Sequence, residues 1–123
     1  MRKNEGGWRH ALVAFVYSWQ GLRAAWRHEI AFRQEAIIFL CAVPAAFWLG
    51  RSAAERGLLL AATLAVLAVE VLNSSLESLC DLVSPQHHPL AGRAKDLGSA
   101  AVLLTILCAV LIWGGVLWDR FVP

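Results

Sequence analysis

A chain of 123 residues that is 59% hydrophobic and only 16% charged is too apolar for a water-soluble domain, because a domain of this size has too little interior to hide so much apolar surface. A net charge of +2 gives no ground for a nucleic-acid partner. Cys41, Cys80 and Cys108 stand singly in apolar segments, with no metal-binding or disulfide spacing, so the expected solvent is the lipid bilayer and the expected organisation is one membrane-embedded unit over residues 1–123.

In chain order, the basic N-terminus leads into an amphipathic stretch, not the short apolar core and small-residue cleavage site of a signal peptide. Trp8, Leu12, Phe15, Trp19, Leu22 and Trp26 recur at spacings of three and four, with Arg9, Arg23 and Arg27 on the edges. This predicts a surface helix over about 8–27, lying at the headgroup level that Trp prefers. The first span is expected over about 30–49. Its purely apolar part, Ala36 to Leu49, rises only about 21 Å as a helix, against roughly 30 Å of hydrocarbon. The Glu29–Glu35 turn must therefore sit near the membrane boundary, and Pro44 is expected to kink the helix. Residues 50–57 read as a polar connection, and a second span follows over about 58–82. Ser84-Pro85-Gln86-His87-His88-Pro89 reads as a loop, and the third span is expected over about 97–118. The fold class is all-α: an amphipathic helix and three transmembrane helices.

Orientation follows from the cations. The N-terminal segment through Arg33 carries Arg2, Lys3, Arg9, Arg23, Arg27 and Arg33, and Arg93 and Lys95 precede the third span. Only Arg51, Arg56 and Arg120 fall on the other side, so the N-terminus and the second loop are expected in the cytoplasm and the C-terminus opposite. Glu29, the end of the second span and Lys95-Asp96 then meet at one membrane face. Three spans shield polar groups only in part, which favours a homo-oligomer.

The end of the second span carries the chemistry. With Glu70 at zero on a helical wheel, Glu77 falls at about −20°, Asp81 at about +20°, Ser74 at about +40° and Asn73 at about −60°. Five polar groups thus share one stripe of a helix otherwise suited to lipid. Carboxylates at membrane depth cost roughly 2.5–3.5 kcal/mol each and mark functional sites. Phosphoryl transfer needs a divalent metal, a cation for developing charge and a base for the attacking hydroxyl. Glu29, Glu70, Glu77 and Lys95 offer those parts, although no Walker motif or kinase glycine loop is present. The spacing alone leaves bland readings open: Glu29 as a helical partner of Arg33, Lys95 as a snorkelling interfacial cation, Asp81 as a boundary charge, and Trp113 and Trp118 as an aromatic belt. A proton or cation transporter using Glu70 and Glu77 is the rival from another class. It lacks a polar path, because Leu58–Val69 offers only Thr63 and Ala36–Leu49 offers no polar side chain of this kind.

The chain closely resembles the small bacterial diacylglycerol kinases. The resemblance rests on Tyr17-Ser18-Trp19, Gly21-Leu22-Arg23-Ala24-Ala25-Trp26, Glu29 with Ala31-Phe32-Arg33-Gln34-Glu35, Glu70-Val71-Leu72-Asn73-Ser74-Ser75-Leu76-Glu77 with Asp81, and Gly92-Arg93-Ala94-Lys95-Asp96-Leu97-Gly98-Ser99. It implies an inner-membrane homotrimer that uses ATP and Mg²⁺ to phosphorylate diacylglycerol to phosphatidic acid. Carried over by resemblance, Glu70 is the general base and also meets the lipid hydroxyl, while Glu29 and Glu77 are metal ligands that bind with ATP. His10, Tyr17, Asn73, Gln86, His87, His88, Lys95 and Asp96 match nucleotide-binding positions. Ser18, Trp19, Arg23, Trp26, Arg33, Gln34, Glu35, Ser99 and Trp113 match the lipid cleft. His10 stands where an Arg is usual and Gln86 where an acid is usual. His87-His88-Pro89-Leu90 is also similar to relatives that phosphorylate undecaprenol, the alternative acceptor, whereas the Trp-rich N-terminal segment favours the diacylglycerol type.

Overall fold

The computed structural model describes residues 6–123; Arg2 and Lys3, counted in the charge asymmetry, lie outside them. The described chain has four helices, α1 (Gly7–His28), α2 (Ile30–Leu49), α3 (Ala53–Val83) and α4 (Pro89–Phe121). The last three are long and apolar enough to cross a membrane. In hydrocarbon every backbone N–H and C=O must be paired within the segment, which is why runs of this composition are helices.

The helix boundaries have local causes. Glu29 interrupts α1 and α2 with an extended backbone (φ −118°, ψ 107°). Its N–H donates to the Ala25 carbonyl at 2.9 Å, and its own carbonyl accepts from Arg33 N–H at 3.2 Å. One residue thus ends one helix and starts the next. Pro44 lies inside α2, which nevertheless runs unbroken to Leu49; the missing N–H removes one bond of the helical ladder without ending it.

Helix α3 begins five residues before the expected span. Ser52 is its N-cap: Ser52 Oγ accepts from Glu55 N–H at 3.1 Å. Glu55 Oε2 reaches back to accept from Arg51 N–H at 2.7 Å. The pattern is close to a capping box, with the Glu55 carboxylate reaching one residue beyond the N-cap, and Ser52-Ala53-Ala54-Glu55 is its signature in the sequence. Ser52→Ala is expected to lower stability by about 1 kcal/mol, measured as a lower midpoint of thermal unfolding in detergent micelles with activity per folded molecule retained. Helix α4 also begins early. Pro89 occupies its first turn and His88 is the N-cap, with Nδ1 accepting from Leu90 N–H at 3.1 Å.

Helix α3 is central. It packs against α4 along its length and against α2 on another side, while α2 and α4 touch little. Ala42, Ala46 and Ala62 are buried, small residues that let the helices approach. Ala25 of α1 joins Phe32 and Leu67 in a buried cluster with Ala36, Phe39 and Val71 around it, so α1 is anchored only at its C-terminal end. Trp8, Phe15, Trp19 and Trp26 of α1 stay exposed on the single chain. Helix α3 has 31 residues, about 46 Å of rise, against roughly 30 Å of hydrocarbon. Its last third, which carries the polar stripe, therefore has room to reach a membrane boundary.

Candidate active site

Three elements converge on Glu70. The residue sits on the inner face of α3, 8% exposed, and Asn73 one turn on is equally buried. The carboxylates whose charges reach Glu70 are Glu35 on α2, Glu77 on α3 and Glu29 at the α1–α2 junction. The wheel placed Glu70 and Glu77 on one face. The break at Glu29 and the packing of α2 on α3 bring in the other two. Acids within charge range of a buried carboxylate in so apolar a chain do not arise from hydrophobic packing, which would exclude them.

Asn73 ties this group to α4. Its Nδ2 lies 3.4 Å from Glu77 Oε1, a long hydrogen bond, and its Oδ1 is buried with no partner within the described residues. Gly98 of α4 stands directly against that oxygen, where a Cβ would collide with it. An unpaired buried acceptor is expensive, of the order of 1–3 kcal/mol, and calls for a donor or cation.

Lys95 comes to the same end of α3 from α4, but its partner is Asp81. Lys95 Nζ donates to Asp81 Oδ1 at 2.7 Å, the only ion pair within 4.0 Å among the described residues. Asp81, readable from the sequence as a mere boundary charge, is therefore the counter-ion of a candidate phosphate-binding lysine. The sequence signal was present in the stripe, since Asp81 shares the face of Glu70 and Glu77. The pairing across helices was not.

The remaining predicted residues fall into groups. Gln86, His87 and His88 are exposed in the α3–α4 connection, where Ser84 Oγ donates to the Gln86 carbonyl at 2.8 Å. Because His88 Nδ1 accepts a backbone N–H, its ring proton resides on Nε2, which stays available as a donor. Asp96 and Ser99 are exposed on α4. On α1, His10 is half-buried and Tyr17 and Ser18 are exposed, with Ser18 Oγ donating to the Ala14 carbonyl at 2.9 Å. Trp19, Arg23 and Trp26 line one concavity with Phe32 of α2. Arg33 is half-buried and Gln34 exposed.

Glu35 and Trp113 lie at opposite ends of a different feature, an apolar groove of about 500 Å³ between α2, α3 and α4. Cys41, Ala45, Val66 and Val110 are among its walls. Trp113 is not a free belt residue: its Nε1 donates to Thr63 Oγ1 at 3.0 Å, and Thr63 Oγ1 in turn donates to the Leu59 carbonyl at 2.9 Å. The one hydroxyl in the N-terminal half of α3 thus donates one hydrogen bond and accepts another.

No three His, Cys, Asp or Glu side chains among the described residues stand together as a ready-made metal cage. The oxygen donors brought side by side are the Glu77 carboxylate and the Asn73 amide, whose Oδ1 is unpaired among the described residues. That set fits Mg²⁺, which takes one or two carboxylates and completes its shell with phosphate oxygens and water.

Comparison with known proteins places the chain in a family. A family model described as prokaryotic diacylglycerol kinase matches residues 16–117. The diacylglycerol kinase of Escherichia coli (strain K12) is 47% identical over 121 residues, covering 98% of this chain and 99% of that protein. The diacylglycerol kinase of Pseudomonas aeruginosa is 41% identical over 115 residues, 94% of each chain, and that of Haemophilus influenzae is 38% identical over 112 residues, 91% of this chain and 95% of the relative. With a match over most of its length, three apolar helices and a buried carboxylate group, the chain is a multi-pass membrane protein that belongs to the prokaryotic diacylglycerol kinase family.

Proposed function

We propose that this protein is an ATP-dependent lipid kinase that phosphorylates diacylglycerol to phosphatidic acid at the cytoplasmic face of the inner membrane. The observation that carries the reading is the buried Glu70 among Glu29, Glu35 and Glu77 on helices long enough to span a bilayer, in a chain of this family.

In this reading the lipid approaches sideways from the bilayer and ATP from the cytosol. Glu70 accepts the proton of the lipid hydroxyl as its oxygen bonds to the γ-phosphorus and the bond from that phosphorus to the ADP oxygen breaks. Glu29 and Glu77 would hold Mg²⁺, which when bound neutralises charge on the phosphate oxygens. Asn73, Lys95 and Asp96 face the phosphates; His10, Tyr17, Gln86, His87 and His88 face the rest of the nucleotide. Ser18, Trp19, Arg23, Trp26, Arg33, Gln34, Glu35 and Ser99 line the lipid cleft, and the groove from Glu35 to Trp113 suits an acyl chain. Helix α1 lies on the membrane with its exposed tryptophans at the headgroups. The N-terminus is cytoplasmic and the C-terminus lies on the other side. The protein works as a homotrimer, which covers apolar and polar faces that one chain leaves open.

The engagement of Thr63 by Leu59 and Trp113 supports a one-sided site over a proton or cation relay, which needs polar groups on both halves of the span. The test is transfer of labelled phosphate from ATP in mixed micelles, with diacylglycerol and undecaprenol as separate acceptors. Labelled phosphatidic acid is expected. Label in the undecaprenol product alone would move the protein to the other acceptor class, and label in neither would remove the kinase reading.

A further inference from the structure

The pairing of Lys95 with Asp81 leaves Glu77 in an unusual position. Glu77 is one helical turn before Asp81 on the same face of α3, about 6 Å of rise away. It is the other carboxylate whose charge reaches the Lys95 ammonium. The ion pair that the ammonium makes is with Asp81, at 2.7 Å. Among the described residues, the hydrogen bond that Glu77 keeps is the long one from Asn73 Nδ2, at 3.4 Å.

We infer that Asp81 is a positioning residue for the metal site: by holding the Lys95 ammonium at the outer end of the stripe, it keeps that cation off Glu77 and leaves the Glu77 carboxylate free for a divalent ion. The inference rests on the proposed role of Glu77 as a metal ligand. Its physical basis is competition for one carboxylate. An ammonium on Glu77 would repel a divalent cation and use the lone pairs that the cation needs. Both partners of the observed pair are substantially exposed, 42% for the Lys95 side chain and 66% for Asp81. An exposed pair of this kind is weak. It adds little to fold stability, and it releases Lys95 readily when a phosphate arrives. A strong buried pair would do neither.

The test uses the full-length protein in micelles and reads binding of Mn²⁺ alone, as the decrease of the free-ion EPR signal. Asp81→Asn is expected to raise the Mn²⁺ concentration for half-saturation by about threefold to fivefold, the scale of one exposed ion pair. Asp81→Glu, which can still reach the ammonium, is expected to stay within about twofold of the parent. The loss must also run through Lys95, so Lys95→Met and the Asp81→Asn/Lys95→Met double variant are expected to bind Mn²⁺ equally. Asp81→Ser serves as a second neutral variant, and unchanged thermal unfolding confirms that each protein is folded. Parent-like binding by both neutral variants overturns the inference. So does a loss that persists without Lys95, which would make Asp81 a ligand itself. Glu77→Gln separates the two levels: if it binds Mn²⁺ like the parent, the metal role of Glu77 fails; if it loses binding while Asp81→Asn does not, only the present inference fails.

Discussion

Glu70→Gln is expected to abolish phosphate transfer while the protein remains folded and still binds ATP. The substitution keeps the size and most of the shape of the side chain but removes the group that takes the hydroxyl proton. Loss of a positioned general base costs about 10²–10⁴-fold in rate, so turnover should fall to the background of the assay. Stability should not fall with it. Glu70 is 8% exposed and has Glu29, Glu35 and Glu77 as charged neighbours. A neutral amide there removes one like charge from a crowded, poorly hydrated group, and an unchanged or higher unfolding midpoint is expected. Labelled transfer, a nucleotide-binding titration and thermal unfolding on the same preparation check the three statements. Normal turnover would sink the assignment of Glu70, whatever the stability result.

The second large effect is expected at a residue with no side chain. In Gly98→Ala the new methyl must occupy the space now held by Asn73 Oδ1. Either Asn73 rotates away, losing its contact with Glu77, or α4 moves off α3. Overpacking of this kind costs about 1–3 kcal/mol, and the displaced group belongs to the candidate phosphate site. Activity should therefore drop at least about tenfold, the consequence of a misplaced site residue, with only a modest loss of stability. Gly114→Ala is the matched control, because a Cβ there meets nothing within 4 Å among the described residues. Removing a helical glycine where space is open is neutral or stabilising by up to about 1 kcal/mol. Equal activity loss in both variants would show that the glycines matter for helix flexibility and not for room beside Asn73.

These expectations draw on different layers of information. The carboxylate stripe was legible in the sequence because a helix repeats every 3.6 residues. Positions 70, 77 and 81 share a face whatever surrounds them. The break near Glu29 was legible as the gap between the amphipathic stretch ending at about residue 27 and the span starting at about residue 30. The early start of α3 was legible too, in Ser52 and Glu55, but a polar, glycine-flanked stretch read more readily as a connection. The lysine partner was not legible. Lys95 is 14 residues from Asp81 in the chain, and nothing in either sequence neighbourhood distinguishes Asp81 from Glu77 as its partner.

By itself the sequence determined the solvent, the number of apolar helices, the acidic face of α3 and, through its motifs, the family. All of these depend on composition or on the geometry of a single helix, which is the same in any context. Only the tertiary structure decided what faces that acidic stripe. Helix α4 is apolar over most of its surface, so its sequence marks no preferred side for packing on α3. The register is set instead by the short 84–88 connection and by the place where Gly98 leaves room for the Asn73 side chain. That register sets Gly98 against Asn73, Trp113 against Thr63 and Lys95 against Asp81. These three contacts carry the positioning of Asn73, the engagement of Thr63 and the counter-ion of Lys95, and each is a property of two helices together.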